Sequence, residues 1–392
     1  MDQQHISGYF DYNATTPICS DVIDSMVPAM KLFANPSGNN RHSQTIKKTI
    51  NEARQNVAQL LQTQVSNIFF TSGGSEANNW AIKGVLFKHI DKPGHIITTE
   101  IEHASVLDTV KYFADTFGFE VTYLKPKKDG AIDVSDLENA LQDNTQLITI
   151  MYANNETGVI QSIEKMATIT SARKIPFHVD AVQLVGKRKI NVEKLGIDYL
   201  SLSAHKFYGP KGVGSLYIKD IDSIEPLIHG GGQEFSMRAG TENLVTIVGL
   251  SKAAQRVTES VEQWDSDNWQ CKQHLVALLE ASPLKIKFNG STDYSNSLSN
   301  TLNIAIDGIR GESLMLQMEL IYGFIISVGS ACSNNKTINL SHVLQAMNIN
   351  ETDIQSSIRI SFGRFTQLED IEKFVTALVS AVEQLLAIST GY

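Results

Sequence analysis

Lys206 stands in the run Leu202-Ser203-Ala204-His205-Lys206-Phe207-Tyr208-Gly209-Pro210, and Asp180 closes the apolar run Ile175-Pro176-Phe177-His178-Val179-Asp180. A lysine in a polar loop can carry an aldehyde cofactor as a Schiff base. A carboxylate at the end of a buried strand can keep a pyridine nitrogen protonated, so that the ring accepts electrons. Together they are what pyridoxal phosphate chemistry needs. Taken singly, each has a plainer reading, as a solvated surface charge or a helix cap.

Further motifs gather around this pair. Thr71-Ser72-Gly73-Gly74-Ser75-Glu76-Ala77-Asn78 follows a strand-like run and opens a helical one. Its glycines let backbone N–H groups approach an anion at a helix N-terminus, so a phosphate would fit there, although a plain capped turn reads the same way. Ser203 and His205 offer further phosphate donors beside Lys206, or ordinary loop polarity. His103, in Glu102-His103-Ala104-Ser105, puts an imidazole just past a strand, where it could stack on a ring and move protons near neutral pH. Asn155, in Asn154-Asn155-Glu156-Thr157-Gly158, fits a substrate carboxylate, the cofactor's phenolic oxygen or a simple polar turn. Gln183 could also reach the phenolic oxygen. Arg359, in Ser357-Ile358-Arg359-Ile360-Ser361, alternates with apolar residues on a strand and needs a partner. A substrate carboxylate and a structural ion pair are equal candidates.

Of the three cysteines, Cys332 lies in Gly329-Ser330-Ala331-Cys332-Ser333-Asn334-Asn335, just past a strand-like run. That composition predicts an exposed, mobile loop, suited to a nucleophile that travels between sites. A free thiol has a pKa of ~8.5, so a neighbouring acceptor or cation must make it a thiolate at neutral pH. Cys19 and Cys271 read as structural. An odd, sparse set with no metal-type spacing predicts a reducing compartment and no metal site.

The elements that must position these residues are legible as alternation. Strand-like runs at Asn67–Phe70, His95–Thr99, Glu120–Leu124, Leu147–Met151, Phe177–Val179 and Ile197–Leu202 are separated by helical stretches such as Thr45–Leu61, Ser75–Lys88 and Val106–Phe117. Such alternation predicts an α/β fold with a mostly parallel sheet, helices on both faces, and ligands at the carboxyl ends of the strands. The pattern changes near residue 260. A helical stretch at Val261–Ala281, strand-like runs at Thr301–Ile306 and Phe324–Val328, and helical segments at Ser341–Met347 and Glu369–Ile388 predict a smaller α+β domain. The expected division is 16–259 for a large cofactor-binding domain, and 1–15 with 260–392 for a small one carrying the Cys332 loop.

The chain has 392 residues, 42% hydrophobic and 19% charged, with a formal net charge of -9. That balance gives no basis for nucleic-acid or anionic-membrane binding. No apolar run approaches the ~20 residues of a membrane span, and the start of the chain lacks a signal-peptide pattern. A cytoplasmic location is expected.

In these motifs the chain resembles the class V, fold type I pyridoxal phosphate enzymes, and within them the cysteine desulfurases of the NifS/IscS type. The likeness runs from Asp11-Tyr12-Asn13-Ala14-Thr15-Thr16-Pro17 through the glycine loop, Glu102-His103, Asn154-Asn155-Glu156, His178-Val179-Asp180 and Ala204-His205-Lys206. It continues through Gly230-Gly231-Gly232-Gln233-Glu234, Arg238-Ala239-Gly240-Thr241-Glu242-Asn243, Gly329-Ser330-Ala331-Cys332 and Arg359 to Arg364-Phe365-Thr366.

The resemblance implies that Lys206 holds the cofactor and shuttles the α-proton, Asp180 pairs with the pyridine nitrogen, and Gln183 contacts the phenolic oxygen. His103 would stack on the ring and act as acid and base. Gly74, Ser75, Ser203 and His205 would bind phosphate, with Thr241 supplied by the partner subunit of a homodimer. Asn155, Arg359 and Asn35 would hold the carboxylate of L-cysteine. Cys332 would take the sulfur, leaving L-alanine and a persulfide that passes to an acceptor protein in iron–sulfur assembly, tRNA thiolation or DNA phosphorothioation. Two stretches depart from the usual pattern: Ser333-Asn334-Asn335-Lys336 after the cysteine, and Gly38-Asn39-Asn40-Arg41-His42 after Asn35-Pro36-Ser37. Two other readings are an aminotransferase or lyase that does not use Cys332, and a silent scaffold. The Gly-Ser-Ala-Cys loop speaks against the first, and retention of Lys206, Asp180, His103 and Cys332 together against the second.

Overall fold

The structure, a computed structural model, describes residues 7–329 and 340–389; Cys332 lies outside the described residues. Seven strands form one sheet: β1 (Ile68–Thr71), β2 (His95–Thr99), β3 (Glu120–Leu124), β4 (Thr145–Met151), β5 (Phe177–Asp180), β6 (Tyr199–Ser203) and β7 (Gly214–Ile218). Their spatial order is β1-β7-β6-β5-β4-β2-β3. The pairings from β6 across to β3 are parallel, and β7 runs antiparallel to both of its neighbours.

Successive side chains along a strand point to opposite faces, and the sequence fills both faces with apolar groups. Phe69, Ile96, Leu147 and Tyr199 pack with Trp80 and Phe113, which belong to α1 (Gly74–Phe87) and α2 (Ala104–Phe117). Phe70, Ile97, Ile148, Val179 and Leu200 pack on the opposite side, in the largest core. Fully burying a side chain such as Phe69 contributes about 1.5–3 kcal/mol. Coverage of both faces leaves the strand ends as the place where polar groups can gather.

A second sheet of three antiparallel strands, β8 (Ile286–Phe288), β9 (Thr301–Ile306) and β10 (Ser357–Ser361), has the order β10-β9-β8. A single helix, α3 (Leu244–Ala281), links the two cores. Its Leu250, Val257 and Val261 pack in the large core, and its Cys271, Leu275 and Leu279 in the small one. The small core also takes Phe10 and α4 (Leu368–Ser389), through Ile371, Phe374 and Leu378.

The strand expected at Phe324–Val328 does not form. Its place is taken by isolated bridges from Ile325 to Tyr9 and from Ser327 to Arg359, because the short segments on either side pair with it one residue at a time. Among the described residues no helix is long and apolar enough to cross a membrane, and no cluster of His, Cys, Asp or Glu has metal-site geometry.

Candidate active site

The carboxyl ends of β1, β2, β4, β5 and β6 open on one cavity of about 640 Å³. From the sheet side its wall includes Gly74, Ser75, His103 and Asp180. Gln183, Ser203, His205 and Lys206 complete that side. Arg359, on β10, closes the cavity from the small-sheet side, and Asn155, in the turn after β4, lines it with Asn13, Gly329 and His342. Ten of the residues singled out from sequence thus meet in one place.

Lys206 ends a short 3-10 turn that follows β6 directly. Its Nζ donates to the carbonyl oxygens of Asn13, at 2.6 Å, and Ala14, at 2.8 Å. Burial first, and then the positive charge of Arg359, pushes the amine down to about 8 from its ordinary value of 10.5. An amine so placed is deprotonated in part near neutral pH, as a nucleophile or proton acceptor must be.

Asp180 is buried at the end of β5. Its Oδ1 accepts from the Val182 N–H at 3.0 Å and its Oδ2 from Asn78 Nδ2 at 2.7 Å. Asn78 Nδ2 also donates to Ser105 Oγ at 2.9 Å, and Ser105 Oγ lies 2.8 Å from His103 Nδ1. His103 caps α2, its Nδ1 accepting from the Ser105 N–H at 3.1 Å. In the neutral ring the proton therefore sits on Nε2. Asp180 and His103 are thus joined by a relay through Asn78 and Ser105. Both residues stood in motifs read from the sequence, yet neither had been given a role.

Beneath this layer His178 bridges the hydroxyls of Thr149 and Ser201 at 2.8 and 2.9 Å. Full burial pushes its imidazole down to about 3, so it is a neutral strut. His205 is likewise kept neutral, pushed down to about 4 by burial and the charges of Lys206 and Lys211. Its Nδ1 lies 3.1 Å from Thr15 Oγ1.

Arg359 makes the ion pair that one of its sequence readings expected. Its Nη2 donates to Asp11 Oδ1 at 2.6 Å and its Nη1 to the Asn155 carbonyl at 3.1 Å, while its buried Nε has no partner. It is an ion-paired residue that also lines the cavity. Asn35 is not brought in: it is exposed, and its Oδ1 accepts from the Ser37 N–H of its own turn at 2.9 Å. Thr241 is also outside the cavity, exposed beside a separate hollow lined by Arg238 and Glu234. Cys19 and Cys271 are buried thiols, each pushed up to about 11 chiefly by burial, and neither is suited to act as a thiolate.

Two acids went unassigned in the sequence. Glu102 is fully buried, and burial pushes its carboxyl up to about 8. Its Oε1 accepts from Thr99 Oγ1 at 2.7 Å and the Met151 N–H at 2.9 Å, while Oε2 has no partner. Glu156 is also raised by burial, and its Oε2 accepts from Ser341 Oγ at 2.5 Å.

These groups fit pyridoxal phosphate. Asp180 is a buried carboxylate without an ion-pair partner among the described residues, facing the same cavity as a lysine amine pushed toward neutrality. At the other end, helix α1 opens at Gly74 without a side-chain cap, leaving its first N–H groups open to an anion. Gly74 itself allows no larger residue, since a Cβ there would lie 2.7 Å from Val182 Cγ2. The fold and cavity together define a pyridoxal phosphate enzyme.

The aminotransferase class V family matches residues 8–374. A cysteine desulfurase IscS from Clostridium botulinum strain Hall is 42% identical over 377 residues, covering 96% of this chain and 94% of that protein. A solved NifS-like protein superposes with a TM-score of 0.89 at 35% identity, over 97% of this chain and 100% of that one. A structure described as SspA in complex with cysteine has a TM-score of 0.80 at 39% identity, over 91% of this chain and 99% of that one. The chain belongs to the class V aminotransferase family, among its pyridoxal phosphate-dependent cysteine desulfurases.

Proposed function

We propose that the cavity converts L-cysteine to L-alanine and that Cys332 receives the sulfur. The observation that carries this reading is the convergence of the Lys206 amine, the Asp180 carboxylate and the Arg359 guanidinium on one cavity. It is supported by the relative described as bound to cysteine.

Bound pyridoxal phosphate supplies an electron sink for the charge that develops at the substrate Cα. With the cofactor bound, Asp180 would hold the ring nitrogen protonated, Gln183 would donate to the phenolic oxygen, and His103 would lie against the ring. Gly74, Ser75, Ser203 and His205 would hold its phosphate. Arg359 and Asn155 hold the substrate carboxylate in a fixed orientation. Lys206 takes the proton from Cα and returns it. Cys332, as a thiolate, bonds to the substrate sulfur while the carbon–sulfur bond breaks. The electron pair of that bond stays on the carbon, which takes a proton and becomes the methyl group of alanine. Cys332 is left as a persulfide, so atoms and charge balance.

A homodimer in which Thr241 of each subunit reaches the phosphate of the other accounts for its distance from the cavity within one chain. The division of the chain at 16–259, with 1–15 and 260–392 apart, separates the cofactor-holding sheet from the unit bearing Arg359 and Cys332. The persulfide passes to an acceptor protein, and the sparse, odd set of cysteines suits the reducing cytoplasm. The test is L-alanine and sulfide release from L-cysteine, with and without reductant, for wild type and Cys332→Ala. Reductant-dependent sulfide with equimolar alanine, lost in the variant, is the expected result. Turnover that survives C332A would make the chain an aminotransferase or lyase.

A further inference from the structure

Lys187 lies four residues beyond Gln183 and is buried. Its Nζ donates to Gln183 Oε1 at 2.8 Å and to Asn13 Oδ1 at 2.8 Å, and no carboxylate pairs with it among the described residues. Burial, joined by the positive charges of Lys206 and Arg359, pushes the amine well below the ordinary lysine range. A buried lysine without an acid partner is costly to keep, and here its two bonds go to the amides of Gln183 and Asn13.

Those bonds decide which way round the Gln183 amide sits. Its Nε2 donates to the Asn13 carbonyl oxygen at 3.0 Å, and a carbonyl can only accept. The Lys206 amine donates to the same oxygen at 2.6 Å. The amino edge of Gln183 and the cofactor-holding lysine therefore converge on one atom, and Lys187 holds the oxygen edge away from them. Asn13 is fixed in turn, its Nδ2 donating to the Asn155 carbonyl at 3.1 Å and to Thr301 Oγ1 at 2.9 Å.

We propose that Lys187 is a positioning residue, which locks the Gln183 amide so that an N–H rather than an oxygen faces the phenolic oxygen of the bound cofactor. The proposal rests on the reading that Gln183 contacts that oxygen. A donor at this position stabilises negative charge on the ring oxygen. It therefore lowers the pH at which the visible band of the holoenzyme changes, and an amide oxygen in its place raises that pH.

The experiment is a spectroscopic pH titration of the holoenzyme for wild type, Gln183→Ala, Lys187→Met and the double variant, with no substrate present. Q183A should raise the midpoint by about one pH unit, a tenfold change in proton affinity, and K187M by somewhat less, because Nε2 keeps its bond to the Asn13 carbonyl. The double variant should titrate as Q183A alone, because Lys187 acts only through Gln183. If Q183A moves the midpoint and K187M does not, the proposal is overturned and the role of Gln183 stands. Additive shifts overturn it too, since Lys187 would then act by its own route. An unmoved Q183A removes the Gln183 contact itself, and the proposal with it. Should K187M fail to fold, Lys187→Gln carries the test. Its shorter donor leaves a weakened bond, so a shift of about threefold in proton affinity is expected, and no shift overturns the proposal.

Discussion

Lys206 reaches the cavity from the seven-stranded sheet and Arg359 from the three-stranded sheet, and the two cations are held in different ways. Lys206 has no ion-pair partner among the described residues; it donates to two carbonyls, and burial lowers its amine to about 8. Arg359 is ion-paired with Asp11, 2.6 Å away on the segment that bridges to β10. The difference matches the chemistry proposed for each. A group that must bond and exchange protons is tuned by desolvation, whereas a group that must hold an anion is fixed by a partner.

The largest effect is expected on the sheet side of this comparison. Lys206→Ala should lose turnover and the visible band of the bound cofactor together, as read by absorbance and by alanine release. Retained sulfide production would remove Lys206 from the chemistry.

On the other side, Arg359→Ala should raise KM steeply. Removing a charge-assisted carboxylate contact costs on the order of 2–5 kcal/mol, and steady-state kinetics on L-cysteine measure it. An unchanged KM would leave Arg359 with Asp11 as a purely structural pair.

A smaller effect sharpens the contrast. Asp11→Asn keeps the shape but not the charge, so it should loosen Arg359 and raise KM by about tenfold, which is about 1.4 kcal/mol. The turnover number should be nearly unmoved. A fall in turnover with KM constant would place Asp11 with the proton-transfer groups.

The smallest effect concerns stability of the cofactor-free protein. The folded-state value of Lys206 lies below its ordinary one, so its burial cost is full below pH 8 and is relieved as pH rises from about 8 to 10.5. Lys206→Met should therefore raise Tm most below pH 8, with the gain shrinking above it. Glu102 has the opposite sign. Its folded-state value is raised from 4.5 to about 8, so its contribution is present below pH 4.5 and is lost as pH rises toward 8. Glu102→Gln should flatten the fall of Tm across that window, and an identical pH profile in wild type would contradict its burial as a titrating acid.

The same contrast governs what could be read from the sequence. Strands β2 and β3 match the runs His95–Thr99 and Glu120–Leu124 residue for residue: β2 is buried along its whole length, as a strand covered on both faces is, while β3 at the sheet edge leaves Glu120 and Tyr123 exposed. The residues at the ends of such strands were legible for the same reason. Strand β7 was not read: it lies behind the polar loop that carries Lys206, and nothing local tells a strand to run antiparallel.

The small-sheet side was harder still. The contact of Asp11 with Arg359 spans 348 residues of sequence, and that of Asn13 with Thr301 spans 288. Long-range partners of this kind leave no periodic trace. Asn35 shows the converse case: its motif suggested a substrate contact, and its side chain accepts from the N–H of Ser37 in its own turn. A short polar residue followed by proline and serine serves a turn as readily as a ligand.

The central claim is that Lys206 chemistry on L-cysteine delivers sulfur to Cys332. The most direct measurement is peptide mass spectrometry after a single turnover with limiting L-cysteine and no reductant, with alanine quantified in the same sample. The account predicts one added sulfur on the peptide bearing Cys332, equimolar with alanine, and none in Lys206→Ala. Added sulfur on Cys19 or Cys271 instead, or alanine formed with no sulfur retained on the chain, would contradict it.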